Sequence, residues 1–399
     1  MRPKILSSIF RSFFCINAIY CILYAIKYAV NLLRASKYCI FFAFLYAVNL
    51  KYMRKFDYSF LKNSLLPTNL LGITNSIAEL KALDQIRKRD FQNIFTKLES
   101  IAKVQSVKGS NAIENIVTTD KRIEEIVNNS SAPLNHSEQE IAGYRDALNA
   151  IHNGFENISL DEQSILNLHL LLLSFTETGG GQYKTSDNVI LEIDSEGNRK
   201  IRFTPTKATE TQPAMQQLVY AFMDANNDSG INKLLLIPCF ILDFLCIHPF
   251  SDGNGRMSRL LSLLLLYKAG FDAGKYISFE EQINLNKSSY YEALRRSSES
   301  WENNTNDYLP FIENFIFTLL ICYKELDKRF ALIHSKKVSK RERVEQTILN
   351  SLLPLGKREI NYILPDVSIT TIEIVVSQML KQGKIKKIGT FKDAKYIKN

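Results

Sequence analysis

The chain has 399 residues, of which 46% are hydrophobic and 23% charged, which is typical of a globular protein with two or three domains. Its formal charge of +9 is concentrated at one end, because residues 1–52 hold seven basic side chains and no acidic one, leaving 43 basic and 41 acidic side chains in residues 53–399. The nearly neutral remainder does not predict a polyanionic partner. The six cysteines form no CxxC pair and no Cys/His cluster, so we expect free thiols in a reducing cytoplasm.

Residues 1–52 are rich in Ile, Phe, Tyr and Leu, but their uninterrupted apolar stretches, 12–26 and 38–50, are shorter than the ~18 residues that a spanning helix needs. The segment 20–32 recurs, with drift, as 38–50. This near-duplication fits a pair of helices at a membrane surface or repeat DNA translated upstream of a true start at Met53. We favour the second interpretation and expect a cytoplasmic protein, with membrane association through this segment as the alternative.

From Leu70 onward the pattern predicts a mainly α-helical fold. Apolar residues three and four positions apart over 70–105 indicate helical structure. Further helices are predicted at 137–153, at 160–176 after the cap-like Ser159, at 212–226 and at 231–247. Another helix begins within the segment after His248 and continues through Leu266.

One segment departs from the helical pattern. The strand-like runs 189–193 and 200–203 are joined by a turn that contains Gly197, and Gly179–Gly181 precede them. Such a pattern predicts a short β-hairpin with a flexible base.

After about residue 335 a basic segment leads into three short helical patterns and a two-stranded ribbon over 383–397. The helical patterns lie at 344–353, 356–363 and 368–382. Three helices and a ribbon describe a winged helix, which binds DNA or serves as a protein-interaction or dimerisation module. Helix 368–382 carries few basic residues, whereas the ribbon is basic, so DNA binding by residues 335–399 and a homodimer both stay open.

The segment His248-Pro-Phe-Ser-Asp-Gly-Asn-Gly-Arg-Met-Ser-Arg259 brings several chemical groups together. Asp252-Gly-Asn-Gly255 is a tight turn before an apolar helix, whose backbone N–H groups and positive N-terminal end can hold an anion. Arg256 and Arg259 lie three residues apart on one helix face and suit a diphosphate or triphosphate. The turn and the arginines together therefore predict a phosphate site.

Two further residues of this segment predict the reaction. Asp252 offers a hard oxygen ligand, and one carboxylate with substrate phosphates is the usual way to hold Mg²⁺. His248, at the end of the preceding helix, can take the proton from a hydroxyl that attacks phosphorus. A base, a metal ligand and a phosphate site together indicate phosphoryl or nucleotidyl transfer.

The segment resembles the signature of the Fic (Fido-domain) family, H-x-F-x-[D/E]-G-N-G-R-x-x-R. The resemblance implies a protein adenylyltransferase, a nucleotidyltransferase that moves AMP from ATP to a Ser, Thr or Tyr hydroxyl of a target protein or of itself and releases diphosphate. It implies His248 as the general base and Asp252 as the ligand of Mg²⁺ or Mn²⁺. The residues that it assigns to the nucleotide are Asp252, Gly253, Asn254, Gly255, Arg256 and Arg259, of which Gly253, Asn254 and Gly255 form the anion hole.

The resemblance extends beyond the signature. Gln182-Tyr-Lys-Thr-Ser186 is similar to the family's pre-flap segment, although Lys184 stands where Arg is common. The hairpin is therefore expected to be the flap that aligns a target segment, with Asn188, Val189 and Ile190 as flap residues. Residues 275–281 and 289–294 resemble the adenine side, where Tyr291 is expected to line the pocket, with Tyr290 as the alternative. Phe250 is expected to point inward as packing.

Ser110-Asn-Ala-Ile-Glu-Asn115 resembles the family's inhibitory motif, [S/T]-x-x-x-E-[G/N]. The resemblance implies that Glu114, with Ser110, takes Arg259 away from the γ-phosphate and crowds that site with negative charge. The same site with Glu114 positioning a water could run the reverse hydrolysis. A deAMPylase, another nucleotidyl transferase or a DNA-binding regulator are therefore the alternatives to an autoinhibited adenylyltransferase.

The expected fold is mainly α: a Fic-type helical bundle with a β-hairpin flap, N-terminal helices and a C-terminal winged-helix domain. The expected divisions follow from the composition shifts and the motifs. They are the hydrophobic basic segment 1–52, the N-terminal helical region with the inhibitory helix at 53–133, the Fic catalytic domain at 134–330 and the winged helix at 335–399.

Overall fold

The computed structural model describes residues 54–63, 66–193, 199–334, 339–349, 351, 354–364, 366–389 and 394–399. The two interpretations of residues 1–52 concern a segment outside these ranges and stay predictions. Residues Phe56–Asn399 form one compact unit. Within it the predicted mainly α-helical fold with a small β-hairpin is confirmed.

Helices make up most of the described residues. In chain order they are α1 (Thr68–Asp90), α2 (Gln92–Ile113), α3 (Asp120–Asn129), α4 (His136–Gly154), α5 (Glu162–Leu172), α6 (Ala208–Asn227), α7 (Lys233–Ile247), α8 (Asn254–Lys268), α9 (Phe279–Leu285), α10 (Lys287–Ser298), α11 (Leu309–His334), α12 (Lys340–Leu349), α13 (Lys357–Ile363) and α14 (Ile369–Lys381). The strands of the described residues are β1 (Ile190–Ile193), β2 (Arg199–Phe203), β3 (Leu355–Gly356), β4 (Ile385–Ile388) and β5 (Lys395–Lys398). The strands form two small separate sheets, so the helices supply the core.

The segment 70–105, whose apolar spacing predicts helical structure, forms two helices, α1 and α2, that are separated at Phe91. The backbone of Phe91 leaves the helical region (φ −133°, ψ 41°), and its N–H bonds to Arg87 O to close α1. Its ring packs against Phe330 at 6.0 Å. Tertiary packing of one aromatic ring therefore interrupts a pattern that is helical on both sides.

The helix predicted at 160–176 is shorter than expected. Its N-cap is Asp161 rather than Ser159, because Asp161 Oδ1 accepts a hydrogen bond from Ser164 N at 2.7 Å. The helix, α5, ends at Leu172 and is followed by turns. These turns lead to the glycines that precede the hairpin.

α7 and α8 lie at the centre of the core and pack against each other. Every residue of α7 from Leu234 to Ile247 is buried, as expected for a helix that is apolar on all faces. α8 is buried from Arg256 to Tyr267. The loop between them, residues 248–253, is therefore held at both ends by buried helices.

Asp243, a fully buried residue of α7, joins the start of the compact unit to its core. Its carboxylate accepts hydrogen bonds from Tyr58 Oη at 2.7 Å, Trp301 Nε1 at 2.6 Å and Tyr308 Oη at 3.0 Å. A buried carboxylate is tolerated only where its charge is satisfied in this way. These bonds fix α7 five residues before the loop that follows it.

β1 and β2 form the predicted hairpin. They are antiparallel, with Leu191 opposite Ile201 and a bulge between Ile190 and Leu191. Val189, Leu191 and Ile201 are exposed apolar residues on or beside this hairpin. The hairpin thus offers an apolar surface outside the helical core.

The C-terminal residues contain α12, α13 and α14 with a three-stranded antiparallel sheet of order β3-β5-β4. The sequence predicts a two-stranded ribbon here, but the sheet has a third strand, because Leu355 and Gly356 pair with Tyr396 and Lys395. A two-residue strand next to a glycine gives too short a pattern to be detected in the sequence.

α14, which a DNA-binding winged helix would use for recognition, has a mixed exposed face. Ile369 and Ile374 are exposed apolar residues, and Glu373 pairs with Lys357 at 2.9 Å. DNA binding by residues 335–399 stays a prediction.

Three of the six cysteines lie in the described residues. Cys239, Cys246 and Cys322 are all buried, as expected of core thiols. No helix within the described ranges has both the length and the apolar character needed to cross a bilayer.

Replacing Asp243 with Ala tests how strongly this carboxylate anchors α7. We expect the free energy of unfolding to fall by about 3–5 kcal/mol, because three hydrogen-bond donors lose their acceptor. Tyr58→Phe, which removes a single donor, should cost about 1 kcal/mol. Urea unfolding followed by circular dichroism compares the two variants, and equal losses of stability would contradict this role for Asp243.

Candidate active site

The loop between α7 and α8 has an unusual backbone at each end. His248 caps the C-terminus of α7 with φ 52° and ψ 61°, and its N–H bonds to Phe244 O. Gly253 precedes α8 with φ 78°. Left-handed backbone is normal for glycine but costs free energy for histidine, so the position of His248 is imposed by the packed helices around it.

Asn254 and Phe250 close this loop with two reciprocal hydrogen bonds. Asn254 Oδ1 accepts from Phe250 N at 2.9 Å, and Asn254 Nδ2 donates to Phe250 O at 2.7 Å. Phe250 is fully buried, as expected. Because both ends of the Asn254 amide are used in these two bonds, only the backbone N–H of Asn254 is available for the anion hole that the resemblance implies.

His169 of α5 holds the other side of the loop, a role that no motif in the sequence indicates. Its ring stacks on Phe250 with centroids 3.6 Å apart. Nδ1 accepts from Gly181 N at 3.0 Å, so Nε2 carries the proton and donates to Asp252 O at 3.1 Å. Burial lowers the pKa of His169 to about 4, so the ring stays neutral and keeps this arrangement.

His248 presents a free nitrogen. Its Nδ1 lies 3.3 Å from Leu245 O, and because a carbonyl can only accept, Nδ1 carries the proton. Nε2 has no hydrogen bond within the described residues and keeps its lone pair. Burial, reinforced by the nearby Lys184 ammonium, lowers the pKa of His248 to about 4. The imidazole is therefore neutral at pH 7 and able to accept a proton.

Arg256 lies almost completely buried at the first turn of α8. Its NH2 group bonds to Glu140 at 2.8 Å and to Asp252 at 3.3 Å, whereas its Nε and NH1 have no partner within the described residues. Glu140, from α4, is a second residue that sequence reasoning missed. The Asp252 side chain is 64% exposed and can accept a further ligand.

Arg259 is 2% exposed, and its Nε and NH2 groups bond to the C-terminal end of α2. Nε donates to Ser110 Oγ at 2.8 Å, and NH2 donates to Ser110 O and to Glu114 Oε1, each at 2.9 Å. The structure thus brings Ser110 and Glu114, from the segment 110–115, into contact with Arg259, from the segment 248–259.

Glu114 also lies over the N-terminus of α8. A Cβ atom added at Gly255 would be 2.2 Å from Glu114 Oε1 and 3.1 Å from its Cδ. The carboxylate therefore occupies the place where the first backbone N–H groups of α8 and its positive end would otherwise meet an anion.

A cavity of about 170 Å³ adjoins these groups. On one side it is lined by His248, Gly255, Arg259 and Glu114, and on the other by Tyr290 and Tyr291. Both candidate tyrosines line it, and Tyr291 is further contacted by Arg202 of β2, whose NH2 donates to Tyr291 O at 3.3 Å. The cavity thus runs from His248, Gly255 and Arg259 to an aromatic surface.

The three expected flap residues behave differently. Ile190 lines the cavity, and Val189 is exposed. Asn188 accepts a hydrogen bond from Lys184 Nζ at 2.8 Å and donates to Phe250 O at 3.4 Å. Only Ile190 therefore reaches the cavity, and Asn188 instead ties the hairpin to the loop.

Known proteins are similar to this chain in sequence and in fold. Residues 159–266, which span α5, the hairpin, α6, α7 and most of α8, match the model of the Fic/DOC family. A Fido domain-containing protein of Dictyostelium discoideum is 30% identical over 117 residues, which are 29% of this chain and 76% of that relative.

Two solved structures have a similar fold. A Fic family protein from Desulfovibrio desulfuricans G20 superposes with a TM-score of 0.56 and 19% identity, covering 84% of this chain and 97% of its own. A Fic domain containing signaling protein from Bacteroides thetaiotaomicron VPI-5482 gives a TM-score of 0.53 and 21% identity, covering 64% and 95%. At these identities the similarity concerns the fold.

Gly255→Ala tests the placement of the Glu114 carboxylate. The added methyl group should displace Glu114 and break its pair with Arg259, lowering the free energy of unfolding by about 1–3 kcal/mol. In a Glu114→Gly background the same substitution should cost at least about 1 kcal/mol less, because nothing is displaced. Denaturant titration of the four proteins in this cycle measures the difference.

Gly72→Ala is the matched control, since a Cβ at this helical position meets nothing within 4 Å. It should be neutral or stabilising in both backgrounds. If the cost of Gly255→Ala is the same with and without Glu114, the carboxylate does not lie over Gly255.

Proposed function

This chain belongs to the Fic/DOC family, whose members typically transfer AMP or a related group, and we propose that it is an autoinhibited protein adenylyltransferase. It would move AMP from ATP to a Ser, Thr or Tyr hydroxyl of a target protein or of itself. The observation that carries the proposal is the position of Glu114, which pairs with Arg259 at 2.9 Å beside a neutral His248. The catalytic groups are assembled, and an acidic side chain occupies their phosphate site.

His248 acts as the general base. Its Nδ1–H is bonded to Leu245 O, which leaves Nε2 to take the proton from the incoming hydroxyl. The hydroxyl oxygen then forms a bond to the α-phosphorus of ATP, the bond from that phosphorus to the bridging oxygen breaks, and diphosphate leaves. A neutral base that needs no rearrangement before it accepts the proton suits this step.

The start of α8 and its two arginines hold the phosphates. The free N–H groups of the first turn and the positive end of the helix attract anions. Among the residues that the structure describes, no partner meets the buried Nε and NH1 of Arg256, and Arg259 has a fork-shaped guanidinium that is bonded to Glu114. Once Glu114 is displaced, Arg259 can bind the γ-phosphate in a bidentate manner.

Asp252 is the residue that fits a divalent cation. Its carboxylate is 64% exposed at the edge of the site. Oδ1 accepts a hydrogen bond from Gly253 N at 2.6 Å and Oδ2 one from Arg256 NH2 at 3.3 Å, and each oxygen keeps a lone pair for a hard cation. Mg²⁺ or Mn²⁺ bound there together with the substrate phosphates would neutralise part of their charge.

The hairpin supplies a surface for the segment that carries the hydroxyl. Val189, Leu191 and Ile201 expose apolar side chains there, and Ile190 reaches the cavity beside His248. An extended segment of a target protein, lying along this hairpin by backbone pairing, would place a hydroxyl near Nε2.

Glu114 restrains the reaction by occupying Arg259. Replacing Glu114 with Gly should raise AMP transfer from labelled ATP by roughly tenfold or more, since a pair worth about 1.4 kcal/mol changes an equilibrium tenfold. Glu114 is the C-cap of α2 and not an interior residue, so the substitution places no glycine inside the helix. His248→Ala in the same background should abolish transfer.

Glu114→Gln keeps the shape of the side chain and removes its charge, so it should give an intermediate transfer rate. Equal transfer by the wild-type and Glu114→Gly proteins would refute the brake. Hydrolysis of AMP from a modified protein by the wild type, lost in Glu114→Gly, would instead favour the deAMPylase alternative.

A further inference from the structure

The C-terminal end of α7 carries backbone carbonyls that have no partner within the helix, as every helix end does. Two of them are taken by side chains. Leu245 O receives Nδ1–H of His248, and Ile247 O receives Nζ of Lys184 at 3.2 Å. A cation at a helix C-terminus is favourable, so Lys184 stabilises the end of the helix that presents His248.

Lys184 is buried, with 4% of its surface exposed. Its backbone N–H donates to Pro249 O at 2.9 Å, directly after His248 in the chain. The side chain and the backbone of one residue therefore hold carbonyls on both sides of His248. His248 has a left-handed backbone (φ 52°). This conformation costs free energy and needs support from neighbouring residues, and the two bonds from Lys184 supply such support.

The same ammonium also holds the base of the hairpin. Lys184 Nζ donates to Asn188 Oδ1 at 2.8 Å, and Asn188 Nδ2 donates to Phe250 O at 3.4 Å. Asn188 lies two residues before Ile190, the hairpin residue that lines the cavity. One buried cation thus joins the hairpin to the end of α7.

We propose that Lys184 is a positioning residue of the transfer reaction, whose ammonium fixes His248 and couples the hairpin to it. The role rests on the proposed function, because it concerns the same base and the same acceptor surface. Charge is central to it: bonds from an ammonium are stronger than those from a neutral amine, and a cation next to the imidazole opposes its protonation.

Within the described part of the chain, three acidic residues act on Lys184 and His248. Asp187 is the charged neighbour of Lys184, and burial, which outweighs Asp187, lowers the pKa of Lys184 to about 8. Lys184 faces His248 from one side and lowers its pKa, while Glu114 and Asp252 raise it. Removal of the Lys184 charge should therefore move the His248 pKa upward.

The pH dependence of transfer follows from these signs. Lys184 is charged below about pH 8 and loses its charge above it, so kcat/KM of the Glu114→Gly enzyme should decline above that pH. Arginine keeps its charge throughout this range. Lys184→Arg should therefore remain active, and its kcat/KM should not decline above pH 8. Lys184→Met should reduce kcat/KM by about 10- to 100-fold, as expected when the base is misplaced.

Lys233→Met is the matched control for these variants. Lys233 lies at the opposite end of α7, and its Nζ also donates to a backbone carbonyl, that of Asn226. Because it is remote from the His248 end, its removal should leave both the rate and the pH profile of the Glu114→Gly enzyme unchanged.

A second measurement does not depend on transfer. The chain has five histidines, so ring-carbon NMR titration of the nucleotide-free protein can follow His248, with the spectrum of His248→Ala giving its assignment. Lys184→Met should raise the His248 pKa, while Lys184→Arg and Lys233→Met should leave it near the wild-type value. The NMR signals of His169 verify that each variant is folded.

The outcomes separate the two proposals. If the Glu114→Gly enzyme transfers no AMP, the proposed function fails, and an unchanged His248 pKa in Lys184→Met removes the role of Lys184 independently. If transfer occurs but Lys184→Arg keeps the alkaline decline and Lys184→Met behaves like Lys233→Met, Lys184 is not a positioning residue.

Discussion

The state of this site depends on the contact between Glu114 and Arg259. Arg259 is almost completely buried, and a buried guanidinium needs a negative partner because leaving it unpaired is costly. The Glu114 carboxylate, 2.9 Å away, meets this need, and in the proposed function the terminal phosphate of a nucleotide would meet it instead. Both would also use the positive end of α8, where the carboxylate lies against Gly255. Two anions in that space repel each other, so one excludes the other.

The surrounding fold sets the position of Glu114. α2, which ends at Ile113, is packed so closely on α9 that a Cβ at Gly109 would be 2.9 Å from the backbone of Glu281. Beneath this contact the fully buried Glu280 accepts hydrogen bonds from Ser106 of α2 at 2.8 Å and Tyr144 of α4 at 2.9 Å. At the end of the helix, Lys287 donates to Ile113 O at 2.6 Å. The C-terminal end of α2 is thus built into the core, and this packing holds Glu114 against Arg259.

The sequence predicts those parts of the site whose chemistry is concentrated in one segment. His248, Asp252 and the two arginines are recognisable because their spacing within twelve residues has one chemical meaning, and Glu114 is recognisable because its motif resembles a known one. His169 and Glu140 could not be found in this way, since each is a single residue whose role depends on a contact distant in sequence. The break at Phe91 and the strand at Leu355 were missed for a related reason: a ring packed on Phe330 and a pairing with β5 decide them, and neither leaves a local pattern.

The claim that Glu114 and the terminal phosphate compete for Arg259 is tested most directly by nucleotide affinity. Calorimetric titration of ATP and of AMP into the wild-type and Glu114→Gly proteins measures how much the carboxylate weakens each nucleotide. The account predicts that Glu114→Gly tightens ATP binding by on the order of tenfold, about 1.4 kcal/mol, and leaves AMP binding nearly unchanged, because AMP has no γ-phosphate to meet Arg259. An equal change for ATP and AMP, or no change for either, would contradict it.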